Sequence, residues 1–465
     1  MATNFIIAGA LIVVVLWLMV SFGVLPDVPG LPTLPTGNPP APSAPAPAGE
    51  PGPTPPAPPG TDQPPEPGDQ PSPPTPPDQE PPPANTTPPP TPPPTPPPAP
   101  PTYTYTYGAY LEPPEGMVLE GIGQWKLDNP LYLAKASAMG GPLPQHELLY
   151  MNIAINESPE EKPAKPVDFI LNTLNEMDAG GRMPEIGIQF YDFSPPSDSP
   201  YSATSHDDLV AAGTNPDHES QIRRIGAALA QFDKPVFVKI GFEFNNKDAP
   251  SPPAPEKGKQ SYHPYDFPVA YAKTRQYIID EYTKLGKTPK VAWIWTWEAA
   301  APTDYLDVDP VLGPKWYPGD DQVDWFGIDY FGTNDFTSQA GPAPFGPSHL
   351  NQILAFLASA DSKGKPVYLA ETSEVNIDIP VGATDTANVW DTWFVPWLAF
   401  LNAHPQIKSF SYIDHDWHGG GGPPTWQDGR RYNNDEIMEK WLAEMKKPQY
   451  LHAGNFSMLL GYSAV

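Results

Sequence analysis

Apolar residues recur along this chain in short runs that end on polar or charged residues. The clearest run is 234–246, Lys-Pro-Val-Phe-Val-Lys-Ile-Gly-Phe-Glu-Phe-Asn-Asn. A turn signal opens it, β-branched and aromatic residues fill it, and a carboxylate beside two amides closes it. That is the pattern of a buried strand carrying a charged side chain to its C-terminal end. Side chains alternate along a strand, so Phe237, Lys239, Gly241 and Glu243 are expected on one face and Val236, Val238, Ile240 and Phe242 on the other. Seven more runs read as strands: Tyr107–Leu111, Glu147–Ile153, Glu185–Asp192, Val291–Trp297, Val323–Tyr330, Pro366–Glu371 and Ile407–Ile413. Helical spacing of apolar residues falls between or after them, over Ser220–Phe232, Asp266–Leu285, His349–Ser362, Trp390–His404 and Asp435–Lys447. Strands alternating with helices argue for βα units and a parallel sheet, and eight such units for a closed α/β barrel, the (β/α)8 or TIM barrel. The first two units are the least regular.

Composition divides the chain. Of its 465 residues 72 are Pro, and 37 of those fall in the 76 residues from Pro26 to Pro101. Residues 26–107 are accordingly expected to be a disordered, extended Pro-rich linker. Residues 108–450 form the barrel domain and 451–465 a C-terminal tail. Residues 5–25 carry no charge and, as a helix, span ~30 Å, the thickness of a bilayer's hydrocarbon core. No Lys or Arg precedes them, and Ser21-Phe-Gly23 is a poor cleavage site. An uncleaved single-pass membrane anchor within residues 1–25 is therefore favoured over a signal peptide, with the large domain outside the cell. With no Cys, stability must come from core size rather than from disulfides. The net charge is −28 and no cation precedes Lys126. A basic nucleic-acid-binding face is excluded on those grounds. The chain is expected to act as a monomer.

In a barrel of this kind the active site lies at the C-terminal ends of the strands. The residues there are Glu243, with Lys239 and Asn245 beside it, Trp297 and Glu298, Asp329 and Tyr330, Glu371, and then Asp414, Asp416 and Trp417. Glu243 and Glu371 each close an apolar strand. Val367, Leu369 and Glu371 are expected to share a face that turns toward the same mouth. Two carboxylates across one cleft suit glycoside hydrolysis, and nearby Trp and Tyr suit stacking on sugar rings. The nine His are scattered, with no closely spaced pair of the kind metal hydrolases use, so no metal or other cofactor is expected. A retired scaffold that binds glycan without turnover is the alternative.

The motifs Gly241-Phe-Glu-Phe-Asn245, Asp320-Asp-Gln-Val-Asp-Trp-Phe-Gly-Ile328, Lys365-Pro-Val-Tyr-Leu-Ala-Glu371 and Phe410-Ser-Tyr-Ile-Asp-His-Asp-Trp417 resemble those of the retaining (β/α)8 glycoside hydrolases of the large clan. The likeness is to the mannanase-like family 26 and its relatives, over about residues 108–447. The resemblance implies a retaining double displacement on a β-linked polysaccharide, of mannan, xylan or glucan type. Glu243 would be the acid/base and Glu371 the nucleophile. Tyr330 would hydrogen-bond the nucleophile, and Trp417 would form part of the subsite at the cleaved bond. Lys239, Asn245, Trp297 and Asp414 complete the expected substrate-binding set. The chain departs from the family in having Phe242 where mannanases carry His, and Lys239 where Arg is common.

Overall fold

The computed structural model describes residues 103–123, 128–155, 166–192, 216–244, 262, 264–299, 303–340, 347–374, 377–379, 389–418 and 427–462. The expected membrane anchor and almost all of the linker lie outside the described residues. Among the described helices none is long and apolar enough to cross a membrane.

Eight parallel strands close on themselves: β1 Val118–Ile122, β2 His146–Ile155, β3 Met183–Asp192, β4 Val236–Ile240, β5 Val291–Glu298, β6 Trp325–Tyr330, β7 Val367–Thr372 and β8 Ile407–Tyr412. Each pairs with the next in sequence, and β8 returns to β1 with Leu119 opposite Ser409 and Ile122 opposite Tyr412. The outer layer holds α1 Asp128–Ala138, α2 Val167–Ala179, α3 Pro216–Phe232, α4 Asp266–Lys284, α5 Leu350–Ser362, α6 Val395–Ala403 and α7 Asp435–Met445. Between β5 and β6 the described residues contain no helix; a short antiparallel ribbon pairs Val308–Asp309 with Gly313–Pro314.

The expected first strand is a correction. Tyr107–Leu111 is not a strand, and β1 begins at Val118. The aromatic stretch instead belongs to the barrel floor. Leu111 N–H donates to Leu460 C=O (3.0 Å), and Leu460 N–H returns a bond to Glu112 C=O (2.9 Å). The Glu112 carboxylate accepts backbone N–H bonds from Thr106 (2.9 Å), within the expected linker, and from Gly108 (2.7 Å). Leu111 and Leu459 join the same buried cluster as Leu119 and Phe237. The C-terminal residues thus help close the floor, and β9 Tyr450–Leu451 pairs with β1.

Strand parity explains the two cores. Val236, Val238 and Ile240 of β4 pack outward with the helices, while Phe237 points into the barrel with Ile294, Trp325 and Tyr368. The outward faces carry the large apolar residues. α7 shows how the helices answer them. Its Ile437, Met438, Trp441, Leu442 and Met445 are buried, and the Asn434 side chain caps it by accepting from Glu436 N–H (3.1 Å) and Ile437 N–H (3.2 Å). Such a cap contributes about 1 kcal/mol.

Candidate active site

β4 delivers Lys239 into the barrel, fully buried, and then leaves regular strand geometry. Gly241 has φ 58° and Glu243 φ 52°, both in the left-handed region. A Cβ on Gly241 would sit 2.5 Å from the Phe267 ring, so the turn needs glycine there. Holding a non-glycine residue such as Glu243 at positive φ costs about 1–3 kcal/mol, a strain typical of functional sites. The turn also breaks the expected alternation. Phe242 does not face away from Lys239: its ring lies 5.2 Å from that of Tyr150, with the Lys239 ammonium 4.7 Å from its centroid.

Glu371 reaches the same place by a different irregularity. Val367 and Leu369 face the outer layer, while Tyr368 and Ala370 face the interior. Strict alternation would send Glu371 outward. One extra residue on β7 resets the register: Ile328 pairs with Leu369, but the next residue, Asp329, pairs with Glu371. This bulge turns Glu371 inward. The expected sharing of a face with Val367 and Leu369 is therefore wrong, although Glu371 does arrive at the expected place.

Carboxylate oxygens of Glu243, Asp329 and Glu371 all lie within 4.8 Å of one another. Glu371 is almost fully buried. Its Oε1 accepts from the Lys239 ammonium (2.5 Å) and from the Tyr150 hydroxyl. Gly187 makes room for both donors, since a Cβ there would come within 2.9 Å of the Tyr150 ring and 3.1 Å of Lys239 Cε. Tyr150, Gly187 and Lys239 lie in register across β2, β3 and β4. Burial raises the Glu371 carboxyl above its ordinary value; Lys239 opposes this, the charge of Glu243 adds to it, and Tyr150 opposes it. Burial works against the charged form of Lys239, but Glu371, Asp329 and Glu185 outweigh it and raise its pKa. We take the ion pair as formed, because a buried ammonium facing three carboxyl groups holds its proton firmly. The three-carboxylate group does not fit a zinc-type centre. No His or Cys belongs to it, and the Lys239 ammonium already occupies its cationic side.

The other expected site residues scatter. Tyr330 points outward, its ring 5.3 Å from Phe336 and 6.3 Å from Phe400, and Tyr150 makes the hydrogen bond to Glu371 that was expected of Tyr330. Trp297 also points outward and stacks on Phe356 of α5 at 4.9 Å. Asp414 is buried and held by Arg431, accepting from its backbone N–H (2.8 Å), Nε (3.1 Å) and Nη2 (2.6 Å). Both of its oxygens are thereby engaged by Arg431. Trp417 lies over the end of β7, its indole N–H reaching Ser373 Oγ (3.3 Å) and its ring edge-on to Phe331 at 6.1 Å. Asn245 lies outside the described residues. Glu374 is buried and is not one of the three clustered carboxylates. His415 contacts Asp128 (3.0 Å), and His418 contacts Asp416 (3.2 Å). Tyr150 and Glu185 were not among the expected site residues; Asp329 was named at the end of its strand but left out of the substrate-binding set. The signal for Asp329 was available, since on β6 it shares parity with Gly327 while Tyr330 shares parity with Phe326 and Ile328.

Fold and site together define a parallel eight-stranded barrel with an acidic pair at its mouth. No family model matches the chain. It is similar to the β-1,3-xylanase TXYA of Vibrio sp, 24% identical over 270 residues, 53% of this chain and 52% of the relative. It is also similar to a β-1,3-xylanase of Alcaligenes sp, 24% identical over 268 residues, covering 53% and 50%. The chain thus spans about half the length of the curated relatives it matches. Among solved structures, a modular endo-β-1,4-mannanase from Cellulomonas fimi aligns with TM-score 0.47 and 15% identity, over 78% of this chain and 80% of that one. The catalytic domain of a GH26 endo-β-1,4-mannanase from Bacillus sp. JAMB-750 aligns with TM-score 0.46 and 15% identity, over 74% and 89%. The resemblance to the mannanase-like family 26 and its relatives holds.

Proposed function

We propose that this chain is a glycoside hydrolase that cleaves a β-linked polysaccharide with retention of configuration. Glu371 is its nucleophile and Glu243 its acid/base. The observation that carries the reading is the pairing at the mouth. The two carboxylates approach within 4.8 Å, near the ~5–5.5 Å separation of retaining enzymes and well short of the ~6.5–9.5 Å that leaves room for an inverting water. Lys239 and Tyr150 both donate to Glu371, which supports its role as the group that stays ionised and attacks. In the first step a Glu371 oxygen bonds to the anomeric carbon as the glycosidic C–O bond breaks, and the Glu243 proton goes to the leaving oxygen. In the second, water attacks that carbon, Glu243 takes the water's proton, and Glu371 departs as carboxylate. Trp417 supplies an aromatic wall beside the reacting bond.

The names of the two curated relatives make β-1,3-xylan the first substrate to try, and the mannanase-like motifs of the sequence make β-1,4-mannan the second. We further propose that residues 5–25 and the Pro-rich segment hold the enzyme at the cell surface, barrel outward. The test is reducing-sugar release from β-1,3-xylan, β-1,4-mannan, β-1,4-xylan and β-glucan, with proton NMR of the first product anomer. Glu371→Gln and Glu243→Gln should each lower kcat at least about 10³-fold, and wild type should release the β-anomer first. Full activity in either variant sinks the residue assignment. Tight glycan binding without turnover on any of the four would favour the alternative, a non-catalytic glycan-binding protein.

A further inference from the structure

Below Glu371 the barrel interior is not apolar. Lys239 lies between two carboxyl groups: Glu371 of β7 at 2.5 Å and Glu185 of β3 at 3.8 Å. Glu185 is fully buried, one layer deeper. Its Oε2 accepts the Tyr368 hydroxyl of β7 and faces His146 Nδ1 of β2 at 3.3 Å, while His146 Nε2 meets Ser409 Oγ of β8 at 2.9 Å. Gly121 of β1 leaves the space for His146, since a Cβ there would come within 2.0 Å of the imidazole. Side chains and gaps from β1, β2, β3, β4, β7 and β8 therefore build one buried polar column. A buried column of this kind is costly unless its charges are matched. Nothing in the proposed two-step chemistry requires Glu185.

We propose that Glu185 is a positioning residue for Glu371: it competes for the single ammonium of Lys239 and so sets how firmly that cation holds the nucleophile as an anion. Tyr368 and His146 act on the far oxygen of Glu185 and fix its place. This rests on Glu371 being the nucleophile. The groups facing Lys239 are Glu371, Glu185 and Asp329, with the Tyr150 and Phe242 rings on its flank; those facing Glu371 are Lys239, Tyr150, Glu243 and Asp329. Neutralising Glu185 leaves Glu371 the whole of Lys239, which favours the Glu371 anion.

The measurement is a ¹³C NMR titration of glutamate side chains in the labelled full chain, with Glu371 assigned by the signal lost in Glu371→Gln. In Glu185→Gln the Glu371 midpoint should fall by roughly half to one pH unit. Glu185→Asp, which keeps the charge but draws it back from Lys239, should move it the same way by less. With Lys239→Met already present, the effect of Glu185→Gln should shrink by more than half. An unchanged midpoint in folded Glu185→Gln, or in Glu185→Asp if the first variant does not fold, overturns the proposal. Equal shifts with and without Lys239 overturn it as well. The titration needs no substrate, so a Glu371→Gln protein that kept its turnover would sink the functional reading and leave this result standing on its own.

Discussion

Two buried ion pairs stand at the ends of neighbouring strands, Lys239–Glu371 and Arg431–Asp414. Both carboxylates follow apolar strands, and both cations are fully buried. Their surroundings separate them. Asp414 takes three donors from one residue, and the Arg431 guanidinium lies 4.3, 4.0 and 4.2 Å from the ring centroids of Tyr132, Tyr412 and Trp441. Both oxygens of that carboxylate are engaged, aromatic faces enclose the guanidinium, and the pair ties β8 to α1 and α7. Glu371 has both identified donors on one oxygen and has two more carboxylates within 4.8 Å. Full use of both carboxylate oxygens makes a strut; an ion pair crowded by further acids holds charge that a reaction can use.

The sharpest way to break the comparison is to remove each cation. Arg431→Met leaves Asp414 buried without its three donors and takes the central cation from the aromatic cluster. Breaking a buried pair this way costs about 3–5 kcal/mol. Urea unfolding should show that loss, while the folded fraction keeps the wild-type kcat and pH profile. A stability change under 1 kcal/mol, or a displaced pH profile, would put Arg431 on the wrong side of the comparison.

Lys239→Met should act mainly on chemistry. Burial already holds the Glu371 carboxyl above its ordinary value, and Lys239 works against that rise. Without Lys239 the value climbs further. The attacking form is the anion, so the acid limb of kcat/KM should move to higher pH, by about one unit, and activity at a fixed acidic pH should fall. The stability sign follows from the same linkage. A carboxyl raised in the folded state contributes stability below its ordinary pKa and loses it as pH rises through the raised value. The variant's stability deficit should therefore be smallest in acid and grow toward neutral pH. An acid limb that stays put or moves down would remove Lys239 from the site.

Much of this was readable in the sequence, though unevenly. Seven of the eight strands and the Lys239–Glu243 stretch follow from period-two apolar runs with charges at their ends. The outward placement of Trp297 and Tyr330 was also readable. Ala292, Ile294 and Thr296 alternate with Trp293, Trp295 and Trp297, and the small set must fill the crowded interior. Glu371 is different: its inward turn depends on one extra residue in β7, and the run Val-Tyr-Leu-Ala-Glu does not announce a bulge. β1 was missed because Val-Leu-Glu-Gly-Ile is short and carries a buried Glu120 that bonds Trp441, whereas the aromatic floor segment before it looks more like a strand. Asp414 looked reactive because its saturating partner, Arg431, is supplied 17 residues later from beyond a glycine-rich loop.

The smallest contrast is the most diagnostic for strand parity, because it uses one atom on each side of the barrel wall. Tyr150→Phe removes a hydroxyl that donates to Glu371, and Tyr330→Phe removes one facing Phe336 and Phe400 in the helical layer. A single donor to a charged group contributes about 1.5–3 kcal/mol. If Tyr150 favours the Glu371 anion, its loss should move the acid limb up by a few tenths of a pH unit and lower kcat about tenfold. KM should change little, because the hydroxyl acts on the attacking group. Tyr330→Phe should leave kcat, KM and the limb unchanged, and show itself only as a shift in melting temperature. The reverse result, with Tyr330→Phe impaired in turnover and Tyr150→Phe intact, would mean that β6 presents its other face to the mouth, and the geometry around Glu371 would have to be redrawn from Asp329 outward.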